Sequence, residues 1–237
     1  MSVIVQTNNL TKQYGKHIAI NNVNISVKQG DIYGLIGRNG AGKTTILRLI
    51  SGLAKPTAGD VYLWGENSQN ALPMRKRLGV LIESPGIYPS MNAADNIKLK
   101  CLATGISDKS RIAELLDDVG LSDAGKKKVK HFSVGMKQRL GIALTLVGSP
   151  ELVILDEPIN GLDPQGMTEV REMIMQLNRE KNITFIISSH ILGELSKIAT
   201  HYGIIDNGEL KMQIMRTELT EDLEEYFLNI TGGGSHA

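Results

Sequence analysis

Eight consecutive residues, Gly37-Arg38-Asn39-Gly40-Ala41-Gly42-Lys43-Thr44, set glycines, a lysine and a hydroxyl at the spacing of a phosphate-binding loop. Glycines let successive backbone N–H groups turn toward phosphate oxygens, and the N-terminus of a following helix adds its dipole. Lys43 is placed to reach the outer phosphates of a nucleotide, and the Thr44 hydroxyl to face a magnesium ion; Thr45, next in the chain, is counted with them among the nucleotide-binding residues. A second feature is Asp156-Glu157, which follows the apolar run Leu152-Val153-Ile154-Leu155. Ligands of parallel α/β sheets bind at the C-terminal ends of their strands. There Asp156 is placed to hold Mg²⁺, directly or through a water, and Glu157 to polarise the water that attacks a terminal phosphate. An acidic pair after a strand also serves as a helix cap when it stands alone. A third is Ser133 with Gly135, just before a helical run, where free N–H groups and the helix dipole favour an anion; a plain serine N-cap accounts for the same residues.

Strands and helices must bring these segments together. Val3-Ile4-Val5, Ile18 to Val27, Ile32 to Ile36, Asp60 to Trp64 and Leu78 to Ile82 have the apolar and alternating character of strands. A helix is expected over Thr44 to Ile50, stopped by Gly52 and Pro56. From Pro85 to Pro150 the pattern is helical throughout, over Asn92 to Leu102, Lys109 to Val119 and Val134 to Val147, which predicts an inserted helical subdomain. Strands at Leu152 to Leu155 and Thr184 to Ile187 flank a helix over Gln165 to Glu180, a βαβ unit. Asn207-Gly208 between Tyr202 to Asp206 and Glu209 to Gln213 predicts a type I′ hairpin. A last amphipathic helix carries Leu219, Leu223, Tyr226, Phe227 and Ile230 on a stripe that either docks on the core or receives a partner. The division expected is a nucleotide-binding core at 1–84 and 151–214, a helical subdomain at 85–150, a C-terminal helix at 215–231 and a flexible tail at 232–237.

The 237 residues suffice for a sizeable core, and 41% hydrophobic with 22% charged residues is a globular composition. With 26 basic and 25 acidic side chains, net charge gives no case for nucleic-acid binding, and Lys126-Lys127-Lys128 reads as a solvated loop. The single cysteine, Cys101, cannot form an internal disulfide and reads as a small core residue in a reducing compartment. The start MSVIVQTNNL lacks the features of a signal peptide, and no segment approaches the ~20 apolar residues that span a bilayer. The expectation is a chain inside the cell that works at a membrane only through another polypeptide.

The order of these landmarks, from about residue 3 to residue 213, resembles the ABC (ATP-binding cassette) ATPase family. That resemblance implies a P-loop NTPase fold, α/β, with a RecA-like, mostly parallel core, an N-terminal antiparallel β subdomain and an inserted α-helical subdomain. It implies ATP and Mg²⁺ as cofactors. It matches Tyr14 to the aromatic that stacks on adenine, Ser133-Val134-Gly135-Met136-Lys137 to the family signature, Gly161-Leu162-Asp163 to the loop that crosses the dimer interface, and His190 to the histidine that contacts the γ-phosphate. Two cassettes are implied to close head to tail on ATP beneath transmembrane permease subunits, at the cytoplasmic face of the membrane. Two departures stand out. Glu83 occupies the position of the usual glutamine, where a carboxylate joins the metal or competes as a base, and Val134 replaces a glycine, with Met136 in place of the usual glutamine. This combination resembles the branch of bacterial exporters that give self-immunity or resistance to lantibiotics and bacitracin-like cell-wall peptides, which implies two copies of this chain beneath membrane subunits that move an amphipathic peptide or a lipid-linked ligand away from the membrane. A soluble cassette protein acting on ribosomes or DNA, and an ATP-gated module of low turnover, are the alternatives. Ile87 and Tyr88, in the segment 85–92, are candidates for contact with the membrane subunit; a plain loop is the other reading.

Overall fold

The computed structural model describes residues 2–68, 73–106, 108 and 110–232. The strands are β1 (Val3–Tyr14), β2 (His17–Val23), β3 (Ser26–Lys28), β4 (Ile32–Ile36), β5 (Ala58–Leu63), β6 (Glu66–Asn67), β7 (Leu78–Leu81), β8 (Leu152–Asp156), β9 (Thr184–Ser189), β10 (His201–Asp206) and β11 (Glu209–Met215). The helices are α1 (Lys43–Ile50), α2 (Ala93–Ala103), α3 (Ser110–Asp118), α4 (Val134–Leu146), α5 (Pro164–Lys181), α6 (Leu192–Leu195) and α7 (Leu223–Thr231), with short 3₁₀ turns between them.

Among the described residues six strands form one sheet in the order β11-β10-β4-β9-β8-β7, parallel except for the β10–β11 hairpin. Strand residues alternate between faces, and here both faces are buried. Tyr33, Leu35, Leu152, Ile154, Ile186 and Ile205 belong to one apolar cluster with α1 and the second sheet. Ile32, Ile36, Val153, Leu155, Phe185, Ile187 and Ile204 belong to the other, under α4, α5, α6 and α7. This explains the uninterrupted apolar runs in the sequence: a parallel strand covered on both sides has no polar positions to alternate with. The second sheet, β2-β1-β5-β6 with β3 also on β1, is antiparallel and covers α1. The mixed α/β fold expected from the sequence is therefore the observed one.

Several elements differ from expectation. Strand β1 runs to Tyr14 rather than stopping at Val5, because half of its side chains face solvent and its polar stretch hides the alternation; Thr7, fully buried, is satisfied by the Val23 carbonyl (2.9 Å) and the Ile25 N–H (2.7 Å). The stretch Ile18 to Val27 is two strands, broken after Val23, since β2 pairs with the far half of β1 and β3 with its start. Leu219 lies outside the last helix, which Asp222 begins by accepting the Glu224 N–H (2.7 Å). Leu223 and Phe227 of α7 are buried in the core, so this stripe docks inward. Asn207 (φ 48°) and Gly208 (φ 76°) adopt the left-handed turn the sequence called for. Cys101 is buried, and Lys126, Lys127 and Lys128 are exposed. Lys109 and the tail 233–237 lie outside the described residues.

The helices between β7 and β8 enclose Ala93, Ile97, Leu115, Val119, Val129, Phe132 and Leu140. Helix α5 is their anchor: Lys181 reaches Glu114 (2.8 Å) and Asp118 (2.6 Å) on α3, and Arg139 of α4 reaches Glu169 (3.4 Å). Leu155 is fully buried between β8 and the helical layer. Leu155→Ala is expected to destabilise the fold by about 2–5 kcal/mol, read as a lower midpoint in chemical denaturation with an unchanged slope.

Candidate functional site

The strand order β4-β9-β8 brings three C-terminal strand ends side by side, and each delivers part of one site. From β4 comes the loop 37–42. Its shape is set by close packing: Gly37 lies so near the Ile205 carbonyl that a Cβ would sit 2.4 Å from it, and Gly42 (φ 108°) leaves only 2.5 Å to Ile20. The loop is tied to the β10–β11 turn, whose Gly208 N–H donates to the Ala41 carbonyl (3.0 Å). Glycine is the residue that meets both demands, left-handed backbone and no side chain.

Lys43 opens α1 with only 6% of its side chain exposed. Its ammonium donates to the carbonyls of Gly37 (2.7 Å) and Arg38 (3.3 Å) and stands 3.2 Å from Glu157 Oε1. Next to it the Thr44 hydroxyl donates to Asp156 Oδ2 (2.8 Å). Glu157, in the left-handed region at φ 49°, receives His190 Nδ1 at 2.8 Å on its other oxygen. Non-glycine residues hold such a conformation at a strain of order 1–3 kcal/mol, so the surroundings must over-determine it. The arrangement thus unites Lys43, Thr44, Asp156, Glu157 and His190, which stand at three separate places in the chain.

Ser188 completes the set and was absent from the sequence reading. Its hydroxyl donates to Asp156 Oδ1 (2.5 Å) and accepts from the Glu157 N–H (2.9 Å). The sequence carries a signal for it: Ser188 stands at the polar C-terminal end of β9, the edge where ligands of parallel sheets bind, two residues before His190.

Other candidates stand apart. The Glu83 carboxylate, 65% exposed, forms its ion pair with Arg48 of α1, one helical turn beyond Thr44, and among the described contacts it does not touch Thr44, Asp156 or Glu157. Arg48 holds the acid apart from the cluster around Lys43. Ser133 caps α4 by accepting the Met136 N–H (3.2 Å), Gly135 packs beside Gly166, and Val134 is exposed. Neither Ser133 nor Gly135 contacts the loop 37–44 of its own chain among the described contacts. Asp163 caps α5, its Oδ1 accepting from the Gly166 N–H (2.9 Å). Tyr14 is half exposed at the end of β1, with Lys12 4.9 Å from its ring centre. Arg38, Asn39 and Gly40 are exposed on the loop, Ala41 is buried, and Thr45 is half-buried in α1.

A hard cation fits the donor set. Thr44 and Asp156 present oxygens, the ligands Mg²⁺ prefers, and they leave the rest of a six-oxygen shell to phosphate and water.

The family model described as ABC transporter matches residues 20–160. The chain is 48% identical to the bacitracin transport ATP-binding protein BcrA of Bacillus licheniformis, over 95% of this chain and 74% of that protein. It is 44% identical to the lantibiotic transport ATP-binding protein SrtF of Streptococcus pyogenes, over 95% of this chain and 96% of the other. Among solved structures it superposes on an ATP-binding subunit of an ABC transporter with a TM-score of 0.82 at 27% identity, covering 96% of this chain and 99% of the other. A dimeric ATP-binding cassette in a post-hydrolysis state with ADP and Pi gives 0.80 at 25%, covering 90% and 99%.

Ser188→Ala removes the two bonds that Ser188 makes to the acidic pair and leaves the part-buried Glu157 N–H without its acceptor. A loss of about 1–3 kcal/mol in folding stability is expected, measured by chemical denaturation of the full chain.

Proposed function

The chain belongs to the ABC transporter family and is an ATPase, and from this we infer that it drives a membrane exporter of bacitracin-like or lantibiotic-like peptides. The observation that carries the hydrolytic reading is Glu157, held between Lys43 and His190 beside the Thr44–Asp156 pair. The similarity over 95% of this chain to proteins named for bacitracin and lantibiotic transport supports the cargo class.

The chemistry follows from which oxygens Lys43 holds. Without nucleotide its charge is neutralised by two carbonyls and Glu157; the phosphates of ATP compete for the same ammonium. Release from Lys43 frees Glu157 to take a proton from water, with His190 beside it for the γ-phosphate. Thr44 and Asp156 would hold Mg²⁺, which when bound neutralises developing phosphate charge. Backbone N–H groups of 37–42 and the α1 N-terminus supply the rest of the phosphate cradle. Tyr14 offers a half-exposed ring to adenine.

Ser133 and Gly135 start α4 with no contact to their own chain's loop among the described contacts, so in this reading their N–H groups serve a nucleotide on a second copy. That reading is a head-to-tail dimer closed by ATP and opened by hydrolysis, with Asp163 near the seam.

No helix of the described residues is long and apolar enough to cross a membrane, which makes a permease the route to transport. The surface we assign to it is the groove of about 560 Å³ outside β7, lined by Leu78, Val80, Lys100, Ile106, Leu144 and Val147. Beside it Tyr88 is 52% exposed while Ile87 packs against the core, which separates the two candidates. The loop is pinned: buried Asn96 accepts from the Tyr88 N–H (2.7 Å) and donates to the Tyr88 carbonyl (3.2 Å). A pinned loop presenting one exposed aromatic has the geometry of an interface anchor. Localisation at the cytoplasmic face of the membrane follows from this partner.

Two measurements test the reading. Glu157→Gln should slow steady-state ATP hydrolysis by at least about a hundredfold and run as an ATP-bound dimer in size-exclusion chromatography. A parent no faster than Glu157→Gln, or a monomer with ATP, overturns it. Tyr88→Ala should keep the ATPase rate of the isolated chain within about twofold and lose co-purification with a polytopic membrane protein from detergent-solubilised host membranes. Co-purification of the parent chain with ribosomes alone overturns the transporter assignment.

A further inference from the structure

Helix α6 has four residues and cannot set its own orientation, because so short a helix gains little from internal hydrogen bonds. Its buried anchor is Leu195, which packs into the space left by Gly34, where a Cβ would lie 2.6 Å from the leucine. Leu192, partly buried, packs against the same core, and Ile198 and Ala199 follow buried, so apolar contacts seat one side of this short helix while its polar side, which carries Glu194, needs a tether of its own. His190 stands just before this helix, a third exposed, with one ring contact at 2.8 Å to Glu157. A small rotation of α6 therefore moves the imidazole off the carboxylate.

The second anchor lies one residue from the first. Glu194 forms an ion pair with Arg171 of α5, with 19% and 11% of the side chains exposed. Lys197 bonds the other oxygen of Glu194 at 2.7 Å. This hydrogen bond, together with the charge of Arg171, holds Glu194 below the usual carboxylate range despite its partial burial. Arg171 continues in the other direction: its guanidinium donates to Thr168 Oγ1 (3.0 Å), which donates to the Pro164 carbonyl (3.1 Å), next to the Asp163 cap. A continuous set of polar contacts thus runs from the loop 161–164 through Thr168, Arg171 and Glu194 to the segment bearing His190.

We propose that Arg171 is a positioning residue for hydrolysis: its pair with Glu194 fixes the rotation of α6, and so the reach of His190, and ties both to the loop that opens α5. Arg171 touches no reacting atom. This inference rests on the hydrolytic role assigned to His190 above.

The test uses the full chain and compares Arg171→Met with the parent, and the same change in a His190→Ala background, by phosphate release in single and multiple turnover. Arg171→Met is expected to lower kcat about tenfold with KM within about twofold. In the His190→Ala background it should cost less than about twofold more, since residues that act through one another are not additive. The reciprocal exchange, Arg171→Glu with Glu194→Arg, should recover at least about a third of the rate. An equal fold-loss in both backgrounds, or no loss from Arg171→Met in the parent, overturns the proposal. If Arg171→Met fails to fold, Glu194→Gln makes the same comparison with the same criteria. A parent-like rate for His190→Ala itself overturns the hydrolytic site and this inference with it, whereas a slow His190→Ala with additive Arg171→Met overturns the positioning role alone.

Discussion

A lysine ammonium shielded from water at the mouth of a parallel sheet needs opposite charge and hydrogen-bond acceptors, and the arrangement around Lys43 follows from that need. Its acceptors come from the loop before it and from Glu157 on a strand two places away in the sheet. Desolvating two charges costs several kcal/mol each, and their attraction returns this only with good geometry, so such a pair is weak as a source of stability. Its value is that the charge is held ready and that an anion of higher charge density can take it over. The left-handed backbone of Glu157 belongs to the same arrangement: it turns the carboxylate back toward Lys43 and His190 at the cost of local strain.

The strand order makes this contact possible. Strand β9 lies between β4 and β8, so Ser188 sits in register with Asp156 and can bridge the two acids, while His190 emerges two residues later. A sheet in which β8 paired directly with β4 would place Lys43 and Glu157 on neighbours and leave no room for Ser188 and His190 between them. Helix α5 then connects the sheet to the elements around it. Its N-terminus carries the Asp163 loop, its middle holds Arg171, and its C-terminal Lys181 grips α3. Ionic contacts suit this role better than apolar packing, because they hold two units in register while leaving them separable.

The cluster of charged side chains beside the exposed edge of β7 has a different character. Glu83 and Arg48 face each other at the surface, where an ion pair contributes little to stability. A glutamine at position 83 could not hold Arg48 by charge, so the departure from the family pattern is matched by a partner on α1. The loop beyond it is fixed by Asn96 and by the packing of Ile87 against the core, which leaves Tyr88 facing outward.

The residue order by itself determined the phosphate loop, the acidic pair, the parallel strands and the turn at Asn207-Gly208, because each depends on local backbone freedom or on short-range periodicity. It did not reveal the length of β1, where solvent on one face erases the apolar alternation, nor the short helix α6, whose four residues carry too few positions for any period. Ser188 was hidden at the end of an apolar strand, although it stands two residues before His190. Where Glu83 points was likewise undecided, since Arg48 lies 35 residues earlier in the chain and only the packing of α1 beside β7 brings them together. Tertiary structure decided these because contacts between distant segments are set by strand order and helix docking, which no local pattern encodes.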